Sequence, residues 1–175
     1  LRTIDAHVGG QPIRLLVDGV LSPDGPTIAA RSERFARQSD HVRRALLRPP
    51  RGQEGLIAAL LTEAVSPGAH AGLIFMDAGG YPSMHGQAVM AAATIALERG
   101  LIFAAAEHSD TRLVFDTAAG TVIAQARVDQ RGADVRVDSV ALTNVPAFVQ
   151  LAAQPVRLRT RELRVDIAFG GVFHA

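Results

Sequence analysis

Few residues in this chain can carry proton chemistry, and one stretch gathers the most useful of them. It runs GGYPSMHGQAVMAAATIALERG, from Gly79 to Gly100. It holds Tyr81, the single tyrosine, and then His85 followed by Gly86, Gln87 and Ala88. The rest of the composition narrows the field. There is no Cys, which excludes disulfides, thiolate metal sites and cysteine nucleophiles. There is no Lys either, because all 18 basic residues are Arg. That excludes a lysine Schiff base, with ordinary pyridoxal-phosphate chemistry, and a P-loop lysine. Arg forks well onto carboxylates but is a poor proton shuttle. Proton transfer therefore falls to His, Asp, Glu or Tyr81.

His85 is the leading candidate because of the residues on its C-terminal side. From Ala88 to Leu97 the residues are apolar on nearly every side, as in a helix buried all round, and Gly100 supplies a stop. The run is too short, and flanked too closely by Gly, Pro and charge, to span a bilayer. His85 thus stands at the start of a buried helix. The free backbone N–H groups of Gly86, Gln87 and Ala88 form a ready site for a carboxylate. The helix dipole disfavours an imidazolium there, so His85 is expected to be neutral with a depressed pKa. A neutral imidazole accepts a hydrogen bond or acts as a modest general base. The plainer alternatives are a helix start that binds water and a His85 without a catalytic role.

Other candidates are weaker. Tyr81 reads as turn or core packing. Asp5 and His7 share a strand face, but no HExxH or His-x-His pattern adds metal ligands, and His7 reads as a structural, hydrogen-bonded residue. His174 stands beside a terminal Gly pair, where it would face a cleft. His41, His70 and His108 read as surface or loop. The Gly pairs at 9–10, 79–80 and 170–171 do not form GxGxxG, which argues against dinucleotide binding. No cofactor and no metal are expected.

These side chains need elements to position them. Residues 2–8 alternate as a half-buried strand, Gly9-Gly10 turns, and 12–17 form the hairpin partner. After a loop over 18–26, Thr27 caps a helix to about Gln38, and Ser39 or Asp40 caps a shorter one through Leu47. The Arg and Glu residues on these helices read as a solvated face. Pro49-Pro50-Arg51-Gly52 breaks the helix. Two apolar runs, 56–61 and 72–76, are buried strands, and the central helix comes next. Residues 112–117, 121–128 and 134–142 form an antiparallel meander with turns at 118–120 and 130–132, and 163–169 is one more strand. The fold class is α+β, mainly antiparallel strands wrapped around one buried helix. A net charge of +1 among 175 residues leaves no electrostatic footprint for nucleic acid or an anionic membrane. The N-terminus has no signal-peptide pattern, so a cytoplasmic protein is expected.

Several blocks also resemble a known family. IDAHVGGQPIR (4–14), RALLRPPRGQEG (44–55), FMDAGGYPSMHGQAVMAAATIALERG (75–100) and VDIAFGGVFHA (165–175) occur in the order of the proline racemase family. That family includes 4-hydroxyproline 2-epimerases and trans-3-hydroxyproline dehydratases. The resemblance implies a half of a diaminopimelate epimerase-like fold. It implies cofactor-independent α-proton abstraction from proline or hydroxyproline, with the substrate carboxylate held at two facing helix starts. His85 stands where the family usually has its catalytic Cys, and Gln87 where it has His. Gln11 replaces the usual Glu, and Gln53 the His after Pro-Arg-Gly. The motif that supplies the opposing acid/base is absent. The expectation is one N-terminal domain over 1–175, with strands from about 145 crossing toward a second half. A second half or a second copy would complete it. The competing readings are a non-catalytic carboxylate-binding homologue and an α+β domain without a small-molecule role.

Overall fold

Two apolar runs, Ile57–Thr62 and Ala71–Met76, are hydrophobic at consecutive positions because both faces of their sheet are covered. Leu73 and Phe75 belong to one core while Ile74 and Met76 belong to another. The computed structural model describes residues 1–103, 106–107, 110–131 and 134–175. Gly132 of the expected turn and His108 lie outside them.

In chain order the elements are β1 (Arg2–Val8), β2 (Gln11–Asp18), α1 (Ile28–Leu47), β3 (Ile57–Thr62), β4 (Ala71–Met76) and α2 (Gly86–Glu98). Then come β5 (Ala106–Glu107), β6 (Asp110–Thr117), β7 (Gly120–Arg131), β8 (Asp134–Thr143), β9 (Phe148–Arg157), β10 (Glu162–Phe169) and β11 (Phe173–His174). The main sheet is ordered β1-β2-β3-β4-β6-β7-β8, with β5 beside β6. It is mixed: β2 pairs β3 and β4 pairs β6 in parallel, and the other pairs are antiparallel. Both parallel steps are crossovers, one through α1 and one through α2, as parallel neighbours require. The β1–β2 hairpin turns at Gly9 and Gly10, whose φ values of 58° and 90° suit a tight two-residue turn.

The sheet curls around α2, which contacts strands from β1 and β2 at one edge to β7 and β8 at the other. Its buried residues are small: Ala88, Val89, Ala91, Ala92, Ala93, Ile95 and Ala96. Small side chains let strands approach a central helix closely, which meets the expected α+β arrangement. On the outer face α1 covers a second core of Leu16, Ile28, Phe35, Leu46, Leu60 and Met76.

The two expected helices are present, joined across a kink at Ser39 into the single element α1. Thr27 caps it through a 3.1 Å bond from the Ala30 N–H, and Ser39 leaves helical geometry at φ −134°, ψ 21°. The expected solvated face has an exception in Arg43, which is 9% exposed. Among the described residues a separate three-stranded sheet, β11-β10-β9, comes after the main one. Strand β9 is not expected from the pattern, because Pro155 interrupts it; it lies at the edge of its sheet, where a missing N–H is tolerated.

Candidate active site

The start of α2 is held from three directions. Below it, Asp77 accepts from the N–H groups of Gly79 (2.8 Å) and Gly80 (2.7 Å) and fixes the turn. To one side, the Arg43 guanidinium donates to the carbonyls of Asp77 (2.9 Å) and Ala78 (3.0 Å) while pairing with Asp40 at 2.7 Å. Tyr81 completes this clamp. Its hydroxyl donates to Asp40 at 3.2 Å, its ring lies under Arg43 at 5.7 Å, and burial pushes its pKa up to about 12. That environment fits the packing role expected of Tyr81. The two Arg partners, Arg43 and Arg44, hold the Asp40 carboxyl well below the usual carboxylate range.

From the other side comes the Gly170–Gly171 turn of the small sheet. The Ser83 hydroxyl donates to the Gly171 carbonyl, and the Asn144 amide donates to the Gly170 carbonyl at 2.9 Å. Gly171 has φ 107°, and a Cβ there would lie 2.7 Å from Met84 Cγ. Only a glycine seats the two segments this closely.

His85 is the N-cap of α2, with extended backbone (φ −149°, ψ 103°). Its Nδ1 accepts from the Ala88 N–H at 3.3 Å. The expected trio of donors is therefore a pair. Ala88 is fully buried and its N–H is already taken, whereas the N–H groups of Gly86 and Gln87 have no hydrogen-bond partner among the described residues. The Gln87 side chain donates to the Val8 carbonyl at 3.3 Å and so reaches the β1–β2 turn. Burial lowers the His85 pKa, and the nearby Asp77 carboxylate partly opposes this.

A depressed histidine has a consequence for folding. The unfolded chain takes up its proton first as pH falls through about 6.5. The unfolded state then binds more protons than the native one, and stability falls. Thermal melts should show a drop as pH falls below about 6.5 that His85→Asn reduces. An identical profile in that variant would assign the drop elsewhere.

The other expected residues are placed across the fold. Asp5 pairs with Arg14 at 2.7 Å, and Arg14 also donates to the carbonyls of Leu46 (2.8 Å) and Arg51 (2.7 Å). Beside them Gln53 lines a cleft of about 220 Å³ with Pro12, Arg14 and Gly52. Gln11 donates to the Gly55 carbonyl. His7, expected to be hydrogen-bonded, is exposed and has no side-chain partner among the described residues, because its strand face turns to solvent there. His41 and His70 are exposed, and His70 Nδ1 accepts from the Val114 N–H at 3.0 Å. His174 is exposed on β11. No group of three or more metal-type ligands occurs among the described residues.

A sheet curled around one buried helix, with anion-type donors at that helix's start, defines a half of the diaminopimelate epimerase-like class. The chain matches the proline racemase family model over residues 3–175, and it belongs to that family. It is 36% identical to trans-3-hydroxy-L-proline dehydratase of Bacillus thuringiensis over 99% of this chain and 50% of the relative. It is 35% identical to proline racemase A of Trypanosoma cruzi, over 98% of this chain and 41% of the relative. Among solved structures it is similar to a hydroxyproline epimerase from Agrobacterium vitis with bound trans-4-OH-L-proline. The TM-score is 0.85 at 29% identity, covering 98% of this chain and 49% of that one. The chain thus spans about half the length of the relatives it matches.

Proposed function

We propose that this chain supplies one half of the site of a cofactor-independent enzyme. That enzyme removes the α-proton of proline or a hydroxyproline, as a racemase or epimerase or as a dehydratase. One observation carries the reading: among the described residues the N–H groups of Gly86 and Gln87 have no partner at the start of a buried helix, beside His85. Two aligned donors at a helix start suit the carboxylate that every such substrate carries. The names of the relatives and the hydroxyproline in the epimerase structure support the same substrate class. His85 is then the side chain of this half that meets the substrate. The near-zero net charge supports a reading without nucleic-acid or membrane partners, and we place the protein in the cytoplasm.

The small sheet belongs to the same reading. Strands from about 145 are the beginning of a second half. Its sheet exposes Phe148, Val149, Leu151 and Phe173, which a further half or a second copy would cover.

Calorimetry with proline, trans-4-hydroxyproline, trans-3-hydroxyproline and pyrrole-2-carboxylate tests the carboxylate site. Binding of at least one is expected, and no binding by any of them rejects the site. Exchange of the α-proton in deuterated water is the second readout. Binding without exchange would leave this half as the holder of the carboxylate, with the base supplied from elsewhere.

A further inference from the structure

We infer that His85 meets its ligand as a hydrogen-bond donor through Nε2–H, its Nδ1 lone pair being committed to the helix it caps. This rests on the carboxylate reading above and assigns the imidazole a definite part in it.

The commitment stems from Ala88. That residue is 0% exposed, so water cannot reach its N–H. Among the described residues the acceptor of this N–H is His85 Nδ1. A buried N–H left without an acceptor costs about 1–3 kcal/mol. A neutral imidazole has one lone pair and one N–H, so an accepting Nδ1 puts the proton on Nε2. The other neutral tautomer would set Nδ1–H against the Ala88 N–H, two donors facing each other. The imidazolium would do the same. Two of the three protonation forms therefore break the cap. The acidic group near the ring is Asp77, which favours the imidazolium, and its Oδ1 accepts from the N–H groups of Gly79 and Gly80.

The chemical consequence is large. A base needs a lone pair aimed at the α-hydrogen, and here the lone pair points back into the helix. An Nε2–H suits a carboxylate oxygen instead. When the Cα–H bond breaks, the proton goes to a base and the electron pair spreads into the carboxylate, which becomes an enediolate. A neutral donor binds that oxygen more tightly as its charge grows. The base must then come from the facing half. Inversion needs a proton-transfer group on each face of the α-carbon, and His85, with its lone pair committed, does not supply one. The arrangement fits one-base chemistry: the base returns a proton to the face it came from, which exchanges hydrogen without inversion, or the electron pair forms a Cα–Cβ double bond and the β-hydroxyl leaves as water, taking up the proton that the base removed.

Two measurements decide it. Long-range 1H–15N spectra of the histidine-labelled chain at pH 7 should show His85 protonated at Nε2, with and without pyrrole-2-carboxylate. A proton on Nδ1 overturns the proposal. His85→Asn separates the cap from the donor, because an Asn oxygen caps a helix well but places nothing at the Nε2 position. At pH 7 it should melt as the wild type does and bind pyrrole-2-carboxylate about 10-fold more weakly. His85→Ala should lose both stability and affinity. Wild-type affinity in the Asn variant overturns the donor role. Failure of the wild type to bind rejects the carboxylate reading, and the spectra still decide whether the lone pair is committed.

Discussion

Gly52→Ala should lower the melting temperature by roughly 10 °C, the largest effect expected of an added methyl among the described glycines. A Cβ at this position would stand 2.0 Å from the Leu47 carbonyl carbon and 2.1 Å from its oxygen. Those are backbone atoms at the end of α1, and they cannot rotate aside as a side chain would. Gly52 is also tied to the helix end, its N–H donating to the Arg48 carbonyl at 2.8 Å. The segment must either move away or unwind the last turn of α1. Overpacking of this kind costs about 3 kcal/mol or more, and each kcal/mol is worth about 2–4 °C in a chain of this size. The damage should extend to the neighbouring cleft, because Arg51 and Gln53 flank the glycine. Calorimetric melting checks this, and a shift under about 2 °C would contradict the close approach.

Gly86→Pro should weaken pyrrole-2-carboxylate binding by about 10-fold or more while leaving the fold intact. Proline is well suited to the first position of a helix, where the N–H has no helical partner. The residue before a proline must be extended, and His85 already is, with ψ 103°. The space is tight but yielding: a Cβ would meet the end of the Leu142 side chain at 3.3 Å. What the substitution removes is one of the two unpartnered N–H groups. Hydrogen bonds to a charged acceptor are worth about 1.5–3 kcal/mol, which sets the size of the loss. Unchanged affinity in a variant that melts normally would move the carboxylate away from this helix start.

Much of this is legible in the residues themselves. The buried central helix shows as apolar side chains on every face, and its start shows as Gly79-Gly80-Tyr81-Pro82. The two covered strands show as unbroken apolar runs, and the break in α1 shows in Ser39-Asp40. What stays hidden depends on distant partners. The burial of Arg43 arises from the carbonyls of Asp77 and Ala78, which lie 34 and 35 residues away. Strand β9 is hidden by Pro155, since nothing local says that the strand lies at an edge. The cap at Ala88 is hidden because His is not among the residues that usually cap helices. A pattern of types gives the donors at a helix start, but only the fold decides which of them already has an acceptor.

The alanines of α2 carry a mechanical meaning as well. Ala88, Ala91, Ala92, Ala93 and Ala96 are each at most 1% exposed, on a helix with strands on several sides. Such a helix resembles a rod in a close sleeve. Rolling it about its axis would drive Val89 and Ile95 into strands that have no slack to receive them. The direction in which Gly86 and Gln87 aim their N–H bonds is thus set by the whole sleeve, so enlarging a buried alanine well inside the helix should re-aim a site it never touches.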